Sequence, residues 1–380
     1  MTDDGAPPVL DGHNDALTRL LRAGGVSAAE SFVDGDEGHL DLGKARRGGF
    51  AGGFFALWVA SPDDETDHRD EMCAPAYDLP LPAMLPREEA LPIVAAQIAT
   101  LRRLESLDAL KVCTSVEEVR GCLATGTLAA ILHLEGAEAI DPELHTLEAL
   151  HAEGLRSLGP VWSRPTLFGH GVPFRYPSGP DTGEGLTAHG VRLVKRCNEL
   201  GIMLDLSHLN AAGLEDVATH SAHPLVATHS NAHALCPHAR NLTDEQLRTI
   251  AATDGMVGLN FATAFLREDG QMRPDTSLDT LLRHLDHLIG ILGEEGVGFG
   301  SDFDGATVPE RIGDAGGLTT LRRSMRDHGY DDELMTRLCH GNWLRVLERT
   351  WHAPSGGEPI GVSERDGIAA PGSVEPAPDA

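Results

Sequence analysis

The chain has 380 residues, of which 58 are acidic and 30 are basic, so that its formal net charge is -28 at pH 7. This length can bury the core of one large α/β domain or of two smaller domains. The strong negative charge repels phosphate backbones and anionic membrane surfaces, so we expect no nucleic acid and no membrane among the partners.

The six cysteines are scattered along the chain and form no C-x-x-C pair. This pattern is typical of buried free thiols in a reducing compartment and not of a disulfide framework. The acidic first residues lack the apolar core of a signal peptide, and no run approaches the roughly 18 apolar residues of a membrane span. We therefore expect the protein to be cytoplasmic.

Short apolar runs along the chain predict eight β-strands. Several of the runs are continuously apolar, as expected for parallel strands that are covered on both faces of a sheet. The predicted strands are residues 9–10, 52–59, 128–134, 155–161, 202–206, 224–227, 256–261 and Val297–Gly300.

Helical periodicity occupies several of the intervals between these runs. Strands that alternate with helices in this number predict an α/β fold of the (β/α)8, or TIM, barrel type. The alternative is a doubly wound open sheet, which usually carries a glycine-rich phosphate loop after its first strand, and no such loop is present. The predicted helices are residues 88–107, Ala188–Leu200, Asp244–Ala252 with Thr243 as N-cap, Leu278–Leu292 and 332–350.

The domain organisation predicted from composition is a single catalytic barrel over residues 1–351, followed by a tail. Residues 352–380 are rich in Gly, Pro and Ser, which predicts a disordered segment. Two stretches inside the barrel, residues 61–86 and 164–187, break the alternation and are predicted to be loops. In a barrel, such loops lie at the catalytic mouth and shape the substrate pocket.

Side chains of the types that bind metals follow five of the predicted strands. In a parallel barrel the carboxyl ends of all strands meet at one face, so these side chains are expected to converge there. Each has an ordinary alternative, because a histidine can be a hydrogen-bonded structural residue and an aspartate can cap a turn. Their coincidence at five strand ends favours a metal site. The residues are His13, Asp15, Glu135, His208, His229 and Asp302.

The chemistry of these residue types suits two divalent ions. Imidazole nitrogens and carboxylate oxygens are ligands of borderline-hard metals, and the two oxygens of Glu135 allow it to bridge a pair of ions. Two metals about 3.5–4 Å apart can share a water and lower its pKa towards roughly 7. Asp302 is the candidate that takes the proton of that water and returns it to the leaving group.

Five motifs carry a family resemblance that extends from about residue 9 to residue 347. The chain resembles the membrane (renal) dipeptidase family of metallopeptidases, peptidase family M19, a branch of the amidohydrolase superfamily of barrels. The late HGNWLR pattern at residues 340–345 also matches. The five motifs are, in chain order, DGHND, HLEG, LDLSH, ATHSNAHALCPHARN and GSDFDG.

The resemblance implies specific roles for these residues. It assigns one zinc ion to His13, Asp15 and Glu135, and a second zinc ion to Glu135, His208 and His229. It also implies that Arg240 holds the carboxylate of the substrate's C-terminal residue and that Asp302 is the catalytic acid and base.

One position departs from the family pattern. The animal members carry a histidine in a Thr-His-Asn motif after the fourth strand, and Trp162 occupies that place here. Tryptophan carries no positive charge, although its indole N–H can donate one hydrogen bond. His170, in the following loop, is a candidate to replace the family histidine, and its alternative is an ordinary loop residue. This departure concerns the substrate and leaves the proposed metal ligands untouched.

The function expected from these observations is that of a dinuclear zinc dipeptidase, in which a metal-bridging hydroxide attacks the peptide bond of a small dipeptide. The resemblance implies tolerance of a D-residue at the C-terminal position and is compatible with a homodimer. Two alternatives stay open at this point. One is a related metal-dependent amidohydrolase that acts on N-acyl amino acids or lactones, and the other is a non-catalytic metal-binding homologue.

Overall fold

Eight parallel strands form a barrel at the centre of the protein. The structure is a computed structural model and describes residues 5–35, 37–61 and 68–351. Neighbours in the sheet are neighbours in the chain, and the first strand pairs with the last. A parallel bridge between Asp205 and Val226 joins the fifth strand to the sixth. The strands are β1 (Val9–Asn14), β2 (Phe50–Trp58), β3 (Leu128–Glu135), β4 (Leu155–Gly159), β5 (Met203–Leu204), β6 (Val226–Ser230), β7 (Met256–Asn260) and β8 (Val297–Gly300).

Helices follow the strands and cover the outside of the barrel, which confirms the predicted (β/α)8 fold. Within the described ranges, no helix combines the length and the apolar character needed to cross a lipid bilayer. The α-helices are Ala16–Arg22, Ala29–Asp34, Leu42–Gly48, Arg69–Met72, Arg87–Ser106, Val116–Thr125, His145–Ala152, Ala188–Leu200, Ala211–His220, Asp244–Ala252, Thr263–Leu266, Leu278–Leu292, Leu318–His328, Asp332–Thr336 and Asn342–Trp351.

The bounds of several elements differ from the sequence-based predictions. Strand β1 continues past residues 9–10 to Asn14, because its polar residues pair with β2 and lie in the barrel interior. The predicted helix over residues 332–350 is divided by a π-helical turn at Arg337–Gly341. The sequence pattern missed a short strand, Leu110–Val112, which pairs with the first half of β3.

The two predicted loops contain short regular segments that meet each other. The strand Tyr77–Asp78 of the first loop pairs antiparallel with Arg175–Tyr176 of the second. The first loop also includes the helical turn Arg69–Met72. Residues 62–67 of that loop lie outside the described residues, as does the predicted disordered tail at 352–380.

A tryptophan from the last helix fills the end of the barrel opposite the carboxyl ends of the strands. Trp343 is completely buried, and its indole N–H donates a hydrogen bond to the carbonyl oxygen of Phe299 at 3.0 Å. Glycines on β1, β7 and β8 make room for the ring. A Cβ atom at Gly12, Gly258 or Gly298 would lie 2.4, 3.0 or 2.8 Å from an atom of the indole. A Cβ atom at Gly12 or Gly258 would also lie 2.4 or 2.0 Å from the carbonyl oxygen of Thr228, so both the ring and the neighbouring backbone require glycine at these positions.

Replacing Trp343 by alanine should destabilise the barrel strongly. The substitution leaves a cavity at a site enclosed by three strands, so we expect the free energy of unfolding to fall by about 3–5 kcal/mol. Chemical denaturation of the metal-free protein measures this change. Trp351→Ala, at a half-buried position of the same helix, is the matched control and should cost less. Equal losses for the two variants would show that Trp343 has no special role in the barrel.

Candidate metal centre

The carboxyl ends of five barrel strands bring the predicted metal-binding residues together. His13 lies in β1 and is followed by Asp15, and Glu135 is the last residue of β3. His229 lies in β6. The loops after β5 and β8 carry the remaining two residues, His208 and Asp302. The five residues other than Asp302 are buried, with at most 6% of each residue exposed.

The side chains form two groups around the carboxylate of Glu135. Its Oε2 atom lies 3.6 Å from His13 Nε2, which is 3.2 Å from Asp15 Oδ2. Its Oε1 atom lies 3.1 Å from His208 Nε2 and 3.4 Å from His229 Nε2. The two histidine nitrogens of this second group are 3.2 Å apart. Each oxygen of Glu135 therefore faces a different set of donor atoms.

These separations fit divalent metal ions. Ligand atoms at 2.0–2.1 Å from a tetrahedral ion are separated from each other by about 3.3–3.4 Å. The observed donor separations run from 3.1 to 3.6 Å. Two groups of three donors have ligand atoms close enough together to hold a metal ion: His13 with Glu135 and His229, and His13 with Asp15 and Asp302. The chemistry and the spacing of the donors thus fit the metals that the sequence predicted.

A hydrogen-bond chain orients His229. The hydroxyl of Thr228 donates its only hydrogen to Asp205 Oδ2 at 2.7 Å, so it accepts from His229 Nδ1 at 2.8 Å. This assigns the ring proton to Nδ1 and leaves a lone pair on Nε2. That lone pair faces the carboxylate of Glu135, and a cation between the two atoms stabilises such an arrangement.

A serine fixes the ring of His208 in a similar way. Ser163 Oγ lies 2.8 Å from His208 Nδ1, and both residues are buried. The backbone of His208 has a φ of 69°, a left-handed conformation that is uncommon for a residue with a side chain. The hydrogen bond and the local conformation together direct Nε2 of this ring towards Glu135.

Burial governs the electrostatics of the centre. It raises the pKa of Glu135 well above its usual value, and it lowers the pKa of His208 and His229 well below theirs. Burial also opposes protonation of His13, but the carboxylates of Glu135 and Asp15 outweigh it and raise the pKa of this ring to about 10. A group of buried carboxylates needs positive charge beside it, which bound cations would supply.

Asp302 lies at the edge of the metal-binding residues and lines the open cavity. Its Oδ2 accepts a hydrogen bond from the side-chain amide of Asn260 at 2.9 Å, and its backbone N–H donates to the carbonyl of His13. Burial raises the pKa of this carboxyl group. A Cβ atom at Gly305 would lie 2.2 Å from Asp15 and 2.4 Å from Asp302, so glycine is needed for their close approach.

The predicted substrate-binding residues occupy different positions. Trp162 lines the cavity, and its ring centroid lies 5.8 Å from that of His208. Arg240 is buried next to the centre and donates hydrogen bonds to Ser230 Oγ and to the carbonyl of His229. Neither Arg240 nor His170 is among the described residues that line the cavity, and His170 Nδ1 contacts the carbonyl of Gly185 at 3.1 Å.

The cavity above the centre has a volume of about 730 Å³ and one mainly apolar wall. The apolar wall could not be predicted from the sequence, because its residues come from segments that are far apart in the chain and show no common pattern. Ser163, Thr228, Asp205 and Asn260 were also missed. Asp205 is a polar residue inside an apolar strand run, between Leu204 and Leu206, and this position is its sequence signal. The wall consists of Met72, Leu79, Phe174, Phe265 and Met272.

Comparison with solved structures identifies proteins with the same fold. A crystal structure of a metallo peptidase from Rhodobacter sphaeroides, liganded with a phosphinate mimic of the dipeptide L-Ala-D-Ala, is 56% identical in sequence. It superposes with a TM-score of 0.89 over 91% of this chain and 100% of that chain. An amidohydrolase from Pseudomonas aeruginosa, at 20% identity and a TM-score of 0.69, covers 91% of this chain and 97% of its own and shares the fold.

Sequence comparison gives the family. An uncharacterised protein from the pqqA 5' region of Klebsiella pneumoniae is 47% identical over 265 residues, which are 69% of this chain and 98% of that protein. Residues 5–355 match the family described as membrane dipeptidase (peptidase family M19). The chain therefore belongs to the membrane dipeptidase family M19 and is a metallo-dipeptidase with the amidohydrolase barrel fold.

Proposed function

We propose that the protein hydrolyses dipeptides with two zinc ions held by the residues around Glu135. The observation that carries this proposal is the orientation of Glu135, whose two oxygens face two separate donor sets at 3.1–3.6 Å. His13 and Asp15 complete one set. His208 and His229 complete the other.

The residues of the chain divide the work of peptide hydrolysis. When bound, zinc supplies Lewis-acid chemistry, since it lowers the pKa of a water towards about 7 and polarises a carbonyl oxygen. Glu135 neutralises part of the positive charge and keeps the two donor sets close together. Asp302, whose pKa is raised by burial, accepts the proton of the attacking water and delivers it to the departing amine.

Arg240 is the proposed partner of the substrate's terminal carboxylate. Burial lowers its pKa to about 10, so the guanidinium keeps its charge at neutral pH. Its Nε atom is buried and has no hydrogen-bond partner among the described residues. An ionic contact at the carboxylate, combined with a metal-bound amine at the other end, would limit the substrate to two residues. The liganded Rhodobacter sphaeroides relative supports tolerance of a D-residue at the second position.

A second candidate function is hydrolysis of N-acyl amino acids. The observation that favours it is the apolar wall of Phe174, Phe265 and Met272, which can accommodate an acyl chain as well as an apolar amino-acid side chain. Steady-state kinetics of the zinc-loaded protein on L-Ala-D-Ala, L-Ala-L-Ala and N-acetyl-L-alanine separate the two. Dipeptidase function requires the highest kcat/KM on a dipeptide, and a higher value on the N-acyl substrate would overturn it.

Replacing Glu135 by glutamine should remove the bridge between the two metals. The amide has no negative charge to offset two neighbouring cations, so we expect about one metal ion less per chain and near-complete loss of turnover. Metal analysis of the dialysed protein, together with dipeptide kinetics, measures both effects. Glu143→Gln, at an exposed position, is the control and should change neither. Full metal content with normal turnover would exclude bridging by Glu135.

Replacing Asp302 by asparagine should separate catalysis from metal binding. Asparagine still has an oxygen that can accept the hydrogen bond from Asn260, but it cannot carry the proton. We expect an unchanged metal content and a kcat reduced by roughly a hundredfold or more, as for a lost general acid–base. A kcat close to that of the wild type would reject the assignment.

Two variants decide whether Trp162 or His170 takes part in substrate recognition. Trp162 contacts Trp58, Phe174 and His208 with ring-centroid distances of 5.1–5.8 Å, so Trp162→His should change the kcat or the selectivity on small dipeptides. His170→Ala should have little effect, because this ring contacts a loop carbonyl. Both variants are measured on one dipeptide panel. A large effect of His170→Ala and none of Trp162→His would reverse the assignment.

A further inference from the structure

We propose that the buried ion pair between Arg164 and Glu138 is a positioning device for the metal centre, fixing the separation between Glu135 and His208. This inference rests on the proposed function, in which those two residues share one metal ion. Neither Arg164 nor Glu138 lines the cavity or belongs to the proposed ligands. Their effect on the metals is therefore exerted through the residues next to them.

The pair joins the ends of three consecutive barrel strands. Arg164 follows β4, and its Nε and Nη2 atoms donate to Glu138 Oε1 at 3.1 and 2.8 Å. The same guanidinium donates to Ser61 Oγ at 2.7 Å and to the carbonyl of Val59 at 2.8 Å, both after β2. Both charged side chains are completely buried. Four hydrogen bonds thus hold the segments after β2, β3 and β4 in one arrangement.

On one side, the pair is in direct contact with the backbone that carries Glu135. The next residue, Gly136, has a φ of 88°, and a Cβ atom there would lie 2.4 Å from Glu138 Oε2. The carboxylate of Glu138 therefore packs against the backbone directly after Glu135. Any shift of Glu138 moves this turn and, with it, the carboxylate of Glu135.

On the other side, the pair is adjacent to the residue that orients His208. Ser163 precedes Arg164 and lies 2.8 Å from His208 Nδ1, so the position of Arg164 sets the position of this hydroxyl. His208 Nε2 in turn lies 3.1 Å from Glu135 Oε1. Contacts therefore run from Glu138 through Arg164 and Ser163 to His208. They continue from His208 to Glu135, so that they surround the second donor set.

The alternative is that the pair stabilises the fold and has no effect on the metals. The two roles differ in what a double substitution does. Replacing only Arg164 leaves the carboxylate of Glu138 buried without its partner, which destabilises the protein in either case. Replacing both residues by methionine removes the unpaired charge and keeps the site filled, so stability should recover. The positioning role would not recover, because no directional bond would link the strand ends.

The test measures zinc affinity and stability on the same set of variants. Metal-free wild type, Arg164→Met, Glu138→Gln and the double variant Arg164→Met/Glu138→Met are titrated with zinc against a chromophoric chelator. Their melting temperatures are measured without metal. Arg322→Met is the matched control, because Arg322 is equally buried but its Nη1 donates to the carbonyl of Pro7, before β1.

We expect Arg164→Met to weaken zinc binding at the donor set of Glu135, His208 and His229 by about 10–100-fold, as for other lost contacts to metal ligands. Glu138→Gln should give a smaller loss, because the amide oxygen can still accept from Arg164. The double variant should regain the melting temperature of the wild type but keep the weakened zinc site. Arg322→Met should lower the melting temperature and leave the zinc affinity unchanged.

Two results would overturn the positioning role. One is an unchanged zinc affinity in Arg164→Met, and the other is a double variant that recovers zinc affinity together with stability. If Arg164→Met does not fold, the double variant decides alone. A wild-type protein that binds zinc but hydrolyses no dipeptide would refute the proposed function, and the zinc titrations would still test the ion pair.

Discussion

The carboxylate of Glu135 is buried, faces three histidines and lies near two aspartates. This concentration of charge constrains the positions of the side chains around it. Burial disfavours the ionised form of a carboxylate, as the raised pKa of Glu135 reflects. Divalent cations relieve the cost because they replace the lost hydration with direct ligand bonds. A site of this kind is stable only if its donors are held at ligand spacing, since repulsion would otherwise drive the carboxylates apart.

The barrel supplies that rigidity from both ends. The carboxyl ends of β1, β3 and β6 place His13, Glu135 and His229 directly on strands, where pairing within the sheet limits movement. At the opposite end, Trp343 fills the space that three strand glycines leave open. Loop residues complete the site, and hydrogen bonds that the two histidine rings of the second donor set make to Ser163 and Thr228 hold those rings in place.

The meeting of the candidate metal ligands at one face of the barrel could be predicted from the sequence because a local pattern encodes their position. Parallel strands present their carboxyl ends at one face, so a histidine or carboxylate that follows an apolar run is expected to lie at that face. The bounds of the strands were less predictable. The apolar run at residues 9–10 gives no sign that β1 continues to Asn14, because polar residues in a barrel interior are held by long-range contacts that the sequence pattern does not contain.

The substrate pocket could not be predicted for the same physical reason. Phe174 and Phe265 stack with ring centroids 6.1 Å apart, although they are far apart in the chain and come from a loop and a four-residue helix without hydrophobic periodicity. The ion pair of Arg164 and Glu138 likewise depends on the meeting of two strand ends. The sequence offered His170 as a candidate to replace the family histidine, with an ordinary loop residue as the alternative. Of Trp162 and His170, Trp162 is the one that lines the cavity.

A crystal structure of the zinc-loaded protein, with anomalous diffraction recorded at the zinc absorption edge, tests the central claim most directly. We predict two anomalous peaks about 3.5–4 Å apart, each next to one oxygen of Glu135. His13 and Asp15 should contact one peak, and His208 and His229 the other. A single peak, or two peaks that Glu135 does not bridge, would contradict this claim.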